Sequence, residues 1–398
     1  MKLQVSQMKQ SKYYKKYCVG CGLCKSEFGC KKQKDKGFVY YDIEHVDRKF
    51  LNNVCPVSGK VQKYYEDSVW GKITQKYYGW SLNKKIRYNA SSGGTITSLA
   101  IFLLEKKYVD GIVQIKRNES EPISTEVVLS KTKEEVLKCI GSRYSNSSVL
   151  EDLSRIIKPN CKYALIGRPC DISTLKNYQE TYGKYNNIIY TISFFCAGNP
   201  SDNANYKLLK KMGLQDVTNC KKMNYRGNGW PGYATAVDVN NKEYKMRYAE
   251  SWGDYLGRDI RLMCKFCIDG CGTAADISCG DGWYLNENNF PLFDENEGRN
   301  LIFVRTEKGN ELIKNAIKEN YIEIQNFDET KESIKNIQPA QYQRTTTIYD
   351  KYMAFKLFGK STPNYNIKTI KKLAKSNKFL DRLKIFVGTI KRIIKGKM

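Results

Sequence analysis

The chain has 398 residues and a formal net charge of +26, from 67 Lys and Arg against 41 Asp and Glu. That length allows two or three domains around a sizeable core, and no apolar run approaches the ~18 residues that span a bilayer. A lone histidine, His45, leaves no zinc-finger histidine pair and weakens every His-based catalytic scheme. The basic, polar stretch 1–17 lacks the apolar segment of a secretory signal.

Fourteen cysteines without a secretory signature read as thiols kept for metal, because disulfide staples belong to small secreted domains. They fall into two spaced groups. In region 1–70, Cys18, Cys21 and Cys24 follow the C-x2-C-x2-C spacing, and Cys55-Pro56 comes later. One tight loop can thereby offer three thiolates to three corners of a 4Fe-4S cubane, with Gly20 and Gly22 relieving the backbone that wraps it. Cys55 is the expected fourth ligand and Cys30 its competitor; a zinc knot is the bland alternative. So short a segment buries little core, so a bound cluster is expected to help hold it folded. Residues 61–85 read as a connection, with Trp70 and Trp80 packing it onto the next domain.

From Arg87 the texture changes. Asn89-Ala90-Ser91-Ser92-Gly93-Gly94 leads into Thr95–Glu105, where Ile96, Leu99, Ala100 and Leu103 recur at helical spacing. Glycines let the backbone approach a ligand, and the N–H groups of a first helical turn attract phosphate; the plain alternative is a serine N-cap. Short strands are predicted at Gly111–Ile115, Glu126–Leu129, Tyr163–Ile166 and Ile188–Phe195. Helices are predicted near Glu134–Cys139, Val149–Ile157 and Ile172–Gln179. The alternation indicates an α/β fold with a mixed sheet. Cys170 and Cys196 then fall just after strands, where open α/β sheets gather ligands. Cys264-x2-Cys267 could supply two more thiolates, with Cys271 and Cys279 as substitutes. The competing reading makes Cys170 and Cys196 buried small hydrophobes. Residues 301–320 read as strand, turn and helix.

Residues 351–398 carry fourteen Lys and Arg against a single acid, Asp381, about half of the excess charge. Such concentration argues for a local basic segment and against a nucleic-acid surface. In Phe379–Ile394, the residues Phe379, Leu383, Phe386, Ile390 and Ile393 share one helical face. A basic amphipathic helix of this kind lies on an anionic membrane or packs on protein. The expected location is the cytoplasm, with peripheral contact at the inner face of the membrane through residues 376–398.

Taken in order, these motifs resemble the coenzyme F420 hydrogenase/dehydrogenase beta-subunit family. The matching residues are the Cys18–Cys24 run with Cys55-Pro56, Ser92-Gly93-Gly94, Gly141-Ser142-Arg143-Tyr144 and Gly167-Arg168-Pro169-Cys170. Phe195-Cys196-Ala197-Gly198-Asn199-Pro200 follows, then Tyr225-Arg226 with Gly229-Trp230. Cys264-Lys265-Phe266-Cys267, Gly280-Asp281-Gly282-Trp283 and Val304-Arg305-Thr306 complete the match. It covers roughly residues 15–320.

The resemblance implies a bacterial member with a mixed-sheet α/β flavoprotein core at 71–345. A small ferredoxin-like 4Fe-4S region precedes it at 1–70, and a basic helical tail follows at 346–398. It implies an oxidoreductase moving electrons between 4Fe-4S clusters and FAD. Its counterpart would be a redox partner or a small-molecule substrate, deazaflavin-like or an intermediate of polysaccharide biosynthesis, and no specific nucleic acid. An electron-transfer subunit without its own substrate is the alternative, and a non-enzymatic zinc or membrane-scaffold protein is a third reading. On the resemblance, Ser92, Gly93, Gly94 and Thr95 meet the FAD phosphates, and Ser142, Arg143 and Tyr144 meet the flavin. Cys170, Cys196, Cys264 and Cys267 hold the second cluster, with Asp276 and Asp281 ordering its loop. A second C-x2-C-x2-C run is missing between Gly37 and Cys55, so one amino-terminal cluster is expected. The basic tail lies outside the match.

Overall fold

Runs of β-branched and aromatic residues with no charged face, such as Ile188–Phe194, can be satisfied only in a sheet covered on both sides. They form the middle of one eight-stranded mixed sheet in a computed structural model that describes residues 11–59, 68–329, 333–396 and 398. In chain order, helix α1 (Leu23–Phe28) precedes a hairpin of β1 (Lys32–Asp35) and β2 (Phe38–Tyr41). The sheet begins with β3 (Gln75–Ser81), followed by helix α2 (Thr95–Glu105), β4 (Gly111–Arg117) and β5 (Thr125–Ser130). Next come β6 (Tyr163–Gly167), helix α3 (Pro169–Tyr182), β7 (Ile188–Phe194) and helix α4 (Asp202–Met212). A separate antiparallel sheet of β8 (Cys220–Asn224), β9 (Tyr233–Asp238) and β10 (Glu243–Arg247) packs its apolar face with Leu208 and Leu209 of α4. The main sheet is completed by β11 (Ile277–Asp281), β12 (Asn300–Val304), helix α5 (Glu307–Lys318) and β13 (Ile322–Asn326).

The strand order is β13-β3-β12-β11-β7-β6-β4-β5. The four central strands run parallel, in register Gly111↔Tyr163, Leu165↔Thr191 and Ile192↔Ile277, and antiparallel strands flank them on both sides. On one face α2 buries Leu99, Phe102 and Leu103 against Ile112, Ile192 and Ile302. Helix α3 buries Ile172, Leu175 and Tyr178 in a second cluster. It starts sharply because Pro169 occupies its first turn and the Asp171 carboxylate accepts from the Arg168 N–H; it stops at Gly183 with φ 68°.

The stretch read as a connection contains β3, which lies inside the sheet between β13 and β12. Lys76, Tyr77 and Tyr78 mask the strand pattern in the sequence. Residues 60–67 of that stretch lie outside the described residues. Trp70 packs on Phe303, with ring centroids 6.3 Å apart, whereas Trp80 lies under the Arg87 guanidinium.

The basic tail is no free arm. Helices α6 (Pro339–Thr346), α7 (Ile348–Leu357), α8 (Ile367–Ala374) and α9 (Phe379–Ile394) wrap back onto the body. One hydrophobic cluster joins Tyr17, Leu23 and Phe50 of the amino-terminal region, Ile172 and Phe266 of the core, and Phe355, Ile370 and Ile393 of the tail. Tyr17 Oη donates to Ser361 O at 2.5 Å and Tyr13 Oη to Thr362 O at 3.1 Å. Among the described residues, no helix is long and apolar enough to cross a membrane.

Candidate functional site

The first cysteine loop is shaped by positive φ. Gly20 (φ 70°) and Gly22 (φ 92°) turn the chain between the thiols, and a Cβ on Gly22 would meet Glu151 Cβ at 2.5 Å. The loop is clamped to the core: Leu150 N–H donates to Cys21 O at 3.0 Å, and Ser148 Oγ to Gly20 O at 2.8 Å. Cys55 enters just before the 3-10 turn Pro56–Ser58. Burial first, then the Cys21, Cys55, Cys18 and Cys30 sulfurs, pushes the Cys24 thiol well up. Burial and then Cys18 and Cys21 do the same to Cys55. Cys21 is pushed up to about 12, by burial and then Asp171. Cys30 acts on Cys24 and is itself raised to about 11 by burial and Asp42, so it stands at the margin of the group.

The second group is assembled from distant pieces. Cys170 sits in the first turn of α3 directly after β6, and Cys196 follows β7, both at carboxyl ends of parallel strands. Cys264 lies in the short helix Leu262–Lys265, with Cys267 beyond it. The Cys170 thiol is raised by burial and, among neighbouring sulfurs, by Cys196 and Cys267. Cys267 is raised by burial and then Cys264. Cys271 is within the field of Cys196, whereas Cys279 belongs to the apolar cluster under α2. Tyr365 of the tail is buried beside this group, its hydroxyl raised by burial and then Cys267. The fourteen cysteines form no disulfides.

Two buried guanidiniums separate the groups. Arg168 grips Asp171 through Nε and Nη2 (2.8 and 2.7 Å) and donates from Nη1 to Val19 O at 3.2 Å. Arg261 donates to Cys18 O at 3.0 Å and to Asn146 Oδ1 at 2.6 Å. Burial lowers the Arg261 pKa, Cys18 opposes it, Arg168 lowers it further, and Cys264 and Cys170 again favour the charge. Among the described residues, no three His, Cys, Asp or Glu side chains converge tightly enough for one metal ion. The donor chemistry of each group, buried or half-buried and unbridged thiols with the Arg168 and Arg261 guanidiniums nearby, is of the kind that iron–sulfur cores take.

Asp281 does not order the cysteine loop. It holds Arg226 by two bonds of 2.8 and 2.9 Å and accepts from Trp230 Nε1 at 2.9 Å. The loop is ordered instead by Asp269, whose carboxylate accepts from the N–H groups of Cys271, Gly272 and Thr273 at 2.8–3.2 Å. Asp276 ties β7 to the segment before β11 through Thr191, and accepts from Thr306 Oγ1.

Above the strand ends lies a cavity of about 470 Å³. Ser92, Gly94, Thr95, Ser142, Arg143 and Tyr144 all line it. Gly93 does not: a Cβ there would meet Gly79 O at 2.6 Å, so its role is the close approach of backbone to sheet. The α2 cap position is Gly94, not serine; Ser92 Oγ is spent on Arg299 O, and Thr95 N–H on Asn300 Oδ1. Among the described residues, four buried polar atoms on the wall have no hydrogen-bond partner: Thr95 Oγ1, Arg143 Nε, Ser145 Oγ and Gln341 Oε1. Burial of such groups unpaired is costly, so donors and an acceptor stand ready for a polar ligand. The opposite wall is aromatic, with Trp283 and Tyr248 stacked at 5.8 Å and the Arg226 guanidinium 4.4 Å from the Tyr248 ring. In the sequence Arg226 and Trp283 stand out only as motif residues, and Tyr248 and Gln341 not at all.

The family described as coenzyme F420 hydrogenase/dehydrogenase, beta subunit, matches in two parts. Its N-terminal part covers residues 76–154 and its C-terminal part residues 160–330. The chain belongs to this family. Its sequence is similar to coenzyme F420 hydrogenase subunit beta of Methanosarcina barkeri, 25% identical over 282 residues, covering 67% of this chain and 86% of the relative. It is 25% identical to the F420-dependent formate dehydrogenase 1 subunit beta of Methanococcus maripaludis, covering 62% and 60% respectively. It is also 26% identical to the coenzyme F420-dependent sulfite reductase of Methanocaldococcus jannaschii, of which it spans 40%. The fold matches a chain of the F420-reducing NiFe hydrogenase complex from Methanosarcina barkeri with a TM-score of 0.57 at 21% identity, covering 74% of this chain and 97% of that one. Both family matches lie outside Cys18–Cys55 and outside the tail from residue 331.

Proposed function

We propose that this chain is an electron-transfer oxidoreductase module. Cys18, Cys21, Cys24 and Cys55 hold one 4Fe-4S cluster, Cys170, Cys196, Cys264 and Cys267 hold a second, and the cavity holds FAD. When bound, the clusters supply one-electron carriage and the flavin hydride exchange. One observation carries the reading: Cys196 belongs to the second cysteine group and also lines the cavity. A single strand end thus serves both sites.

The chain's own residues position and insulate. The first turn of α2, through Thr95, Ile96 and Thr97, lines the cavity, and with the Thr95 N–H held by Asn300 it contributes the positive end of its dipole there. Arg143 Nε and Gln341 Oε1 offer a donor and an acceptor to a heteroaromatic edge. Tyr248 and Trp283 supply planar surfaces, and the Asp281 carboxylate keeps Arg226 in place among them. The relatives are named for coenzyme F420, so a deazaflavin is the proposed substrate class. Their naming as beta subunits favours a second reading, in which a partner enzyme supplies or takes the electrons.

Anaerobic purification of the full chain, with iron, sulfide and flavin counts, tests this. Bound flavin and two clusters are expected. Cys18→Ser and Cys170→Ser should each remove one cluster's iron and leave the other's. Zinc in place of iron, with no flavin, would overturn the proposal.

A further inference from the structure

Helix α9 is apolar over a wider arc than its neighbours cover. Thr389 and Ile393 are buried, Phe386 and Ile390 pack against the main cluster, and Arg382 grips Asp350 at 2.9 Å. These contacts fasten one flank. The adjoining flank is bare: Phe379 is 75% exposed, Leu380 67% and Ile394 70%, with Leu383 and Val387 also exposed. Leu380, Leu383, Val387 and Ile394 are spaced by three, four and seven residues and so share a face. Four exposed aliphatic side chains stand in one row on a docked helix, and none is buried against the described residues. The sequence expectation put the apolar face on Phe379, Leu383, Phe386, Ile390 and Ile393; the packing splits that set, with Phe379 and Leu383 left outside.

The charge beside the row is positive except at Asp381. Lys384, Lys391 and Lys395 fall next to it on the helix and are exposed. Asp381 is the single acid of residues 351–398, and Lys384 sits 3.9 Å from it. From this pairing of an aliphatic row with a lysine row we infer that α9 is a membrane-docking element, which lays Leu380, Leu383, Val387 and Ile394 into the headgroup layer of an anionic bilayer. A nucleic acid would meet the lysines but leave the aliphatic row in water, since it offers stacking and hydrogen bonds rather than an apolar layer. A protein partner would need acidic groups matched to Lys384, Lys391 and Lys395. Because α9 is fastened through Arg382 and Ile393, docking needs no unfolding of the tail, and the body is held at the surface in one orientation.

Flotation of the full-length protein with vesicles tests the inference. The probes are equimolar phosphatidylglycerol and phosphatidylcholine, phosphatidylcholine alone, and a 30-base-pair DNA duplex as competitor. Binding to the anionic vesicles is expected, at least about tenfold above the neutral ones and weakened by salt. Leu383→Ser with Val387→Ser should lower partitioning about tenfold or more at an unchanged melting temperature, since both side chains are already exposed. Lys384→Glu with Lys391→Glu should do the same through charge alone. Equal partitioning of parent and both variants, or no partitioning of the parent, overturns the inference. So does self-association or duplex binding that the serine variant abolishes while vesicle binding stays at background.

Discussion

The two cysteine groups reach similar environments by opposite routes. The first is local: three thiols in seven residues, placed by two glycines with positive φ and closed by one distant partner, Cys55. The second brings together Cys170, Cys196 and the Cys264–Cys267 loop, which the sheet, α3 and a carboxylate-anchored turn hold in place. A local group depends on backbone conformation at a few residues. A composite group depends on the whole sheet, and so inherits its stability. Arg168 and Arg261 belong to both and join them.

The sharpest way to break the comparison is Gly22→Ala. The new Cβ would press on the Glu151 backbone from a φ that alanine resists, for a cost of about 3 kcal/mol or more. Loss of the first group's iron with the second retained is the expected result, read by iron counts and a thermal melt. Equal loss from both would show that the groups are not independent.

Asp269→Ala attacks the other side. Three N–H groups would lose their shared acceptor in a buried turn, costing on the order of 2–3 kcal/mol. Iron should leave the second group and stay in the first.

Lys351 tests the tail's part in that second site. Its Nζ donates to Lys265 O at 3.1 Å, inside the Cys264–Cys267 loop, and burial depresses its pKa to about 7, helped by Arg344 and Arg392. The unfolded lysine titrates near 10.4. The unfolded chain therefore binds more protons between pH ~7 and ~10.4, so stability rises with pH across that window, and below it the penalty is full. Lys351→Met should raise the melting temperature more at pH 6 than at pH 9, the difference corresponding to about 2 kcal/mol. An equal shift at both pH values would refute it.

The smallest expected effect bears on both groups at once. Arg261→Gln removes a buried cation facing Cys18 and Cys264. Redox titration should find the potentials of both clusters lowered by on the order of 50 mV. A shift in one cluster alone would place Arg261 in one site rather than between two.

How much of this was legible in the sequence differs by element. Helix α2 was readable because Ile96, Leu99, Ala100 and Leu103 mark one face, and strands β6 and β7 because they are unbroken apolar runs. Strand β3 was not, since its two tyrosines and one lysine carry no alternation, and for the tail the sequence offered packing on protein only as one of two alternatives. Spacing marked Cys18, Cys21 and Cys24 as a unit. Thr95 and Arg143 were marked by motif, whereas Gln341 and Tyr248 had no local signal at all. Gly93 was assigned to the wrong surface because sequence shows that a glycine permits close approach, not what approaches.

By itself, then, the sequence determined whatever depends on neighbours along the chain: helix periodicity, the turn-forming glycines, the first three thiols and the excess of positive charge in the tail. Tertiary structure alone decided which distant residues meet. It brought Cys196 to the cavity wall, set Arg168 and Arg261 between two thiol groups, gave Asp281 to Arg226 rather than to a loop, and left one flank of α9 bare. The physical reason is range: backbone preference and periodicity act over a few residues, while burial and electrostatic pairing act across space, and only packing specifies the partners.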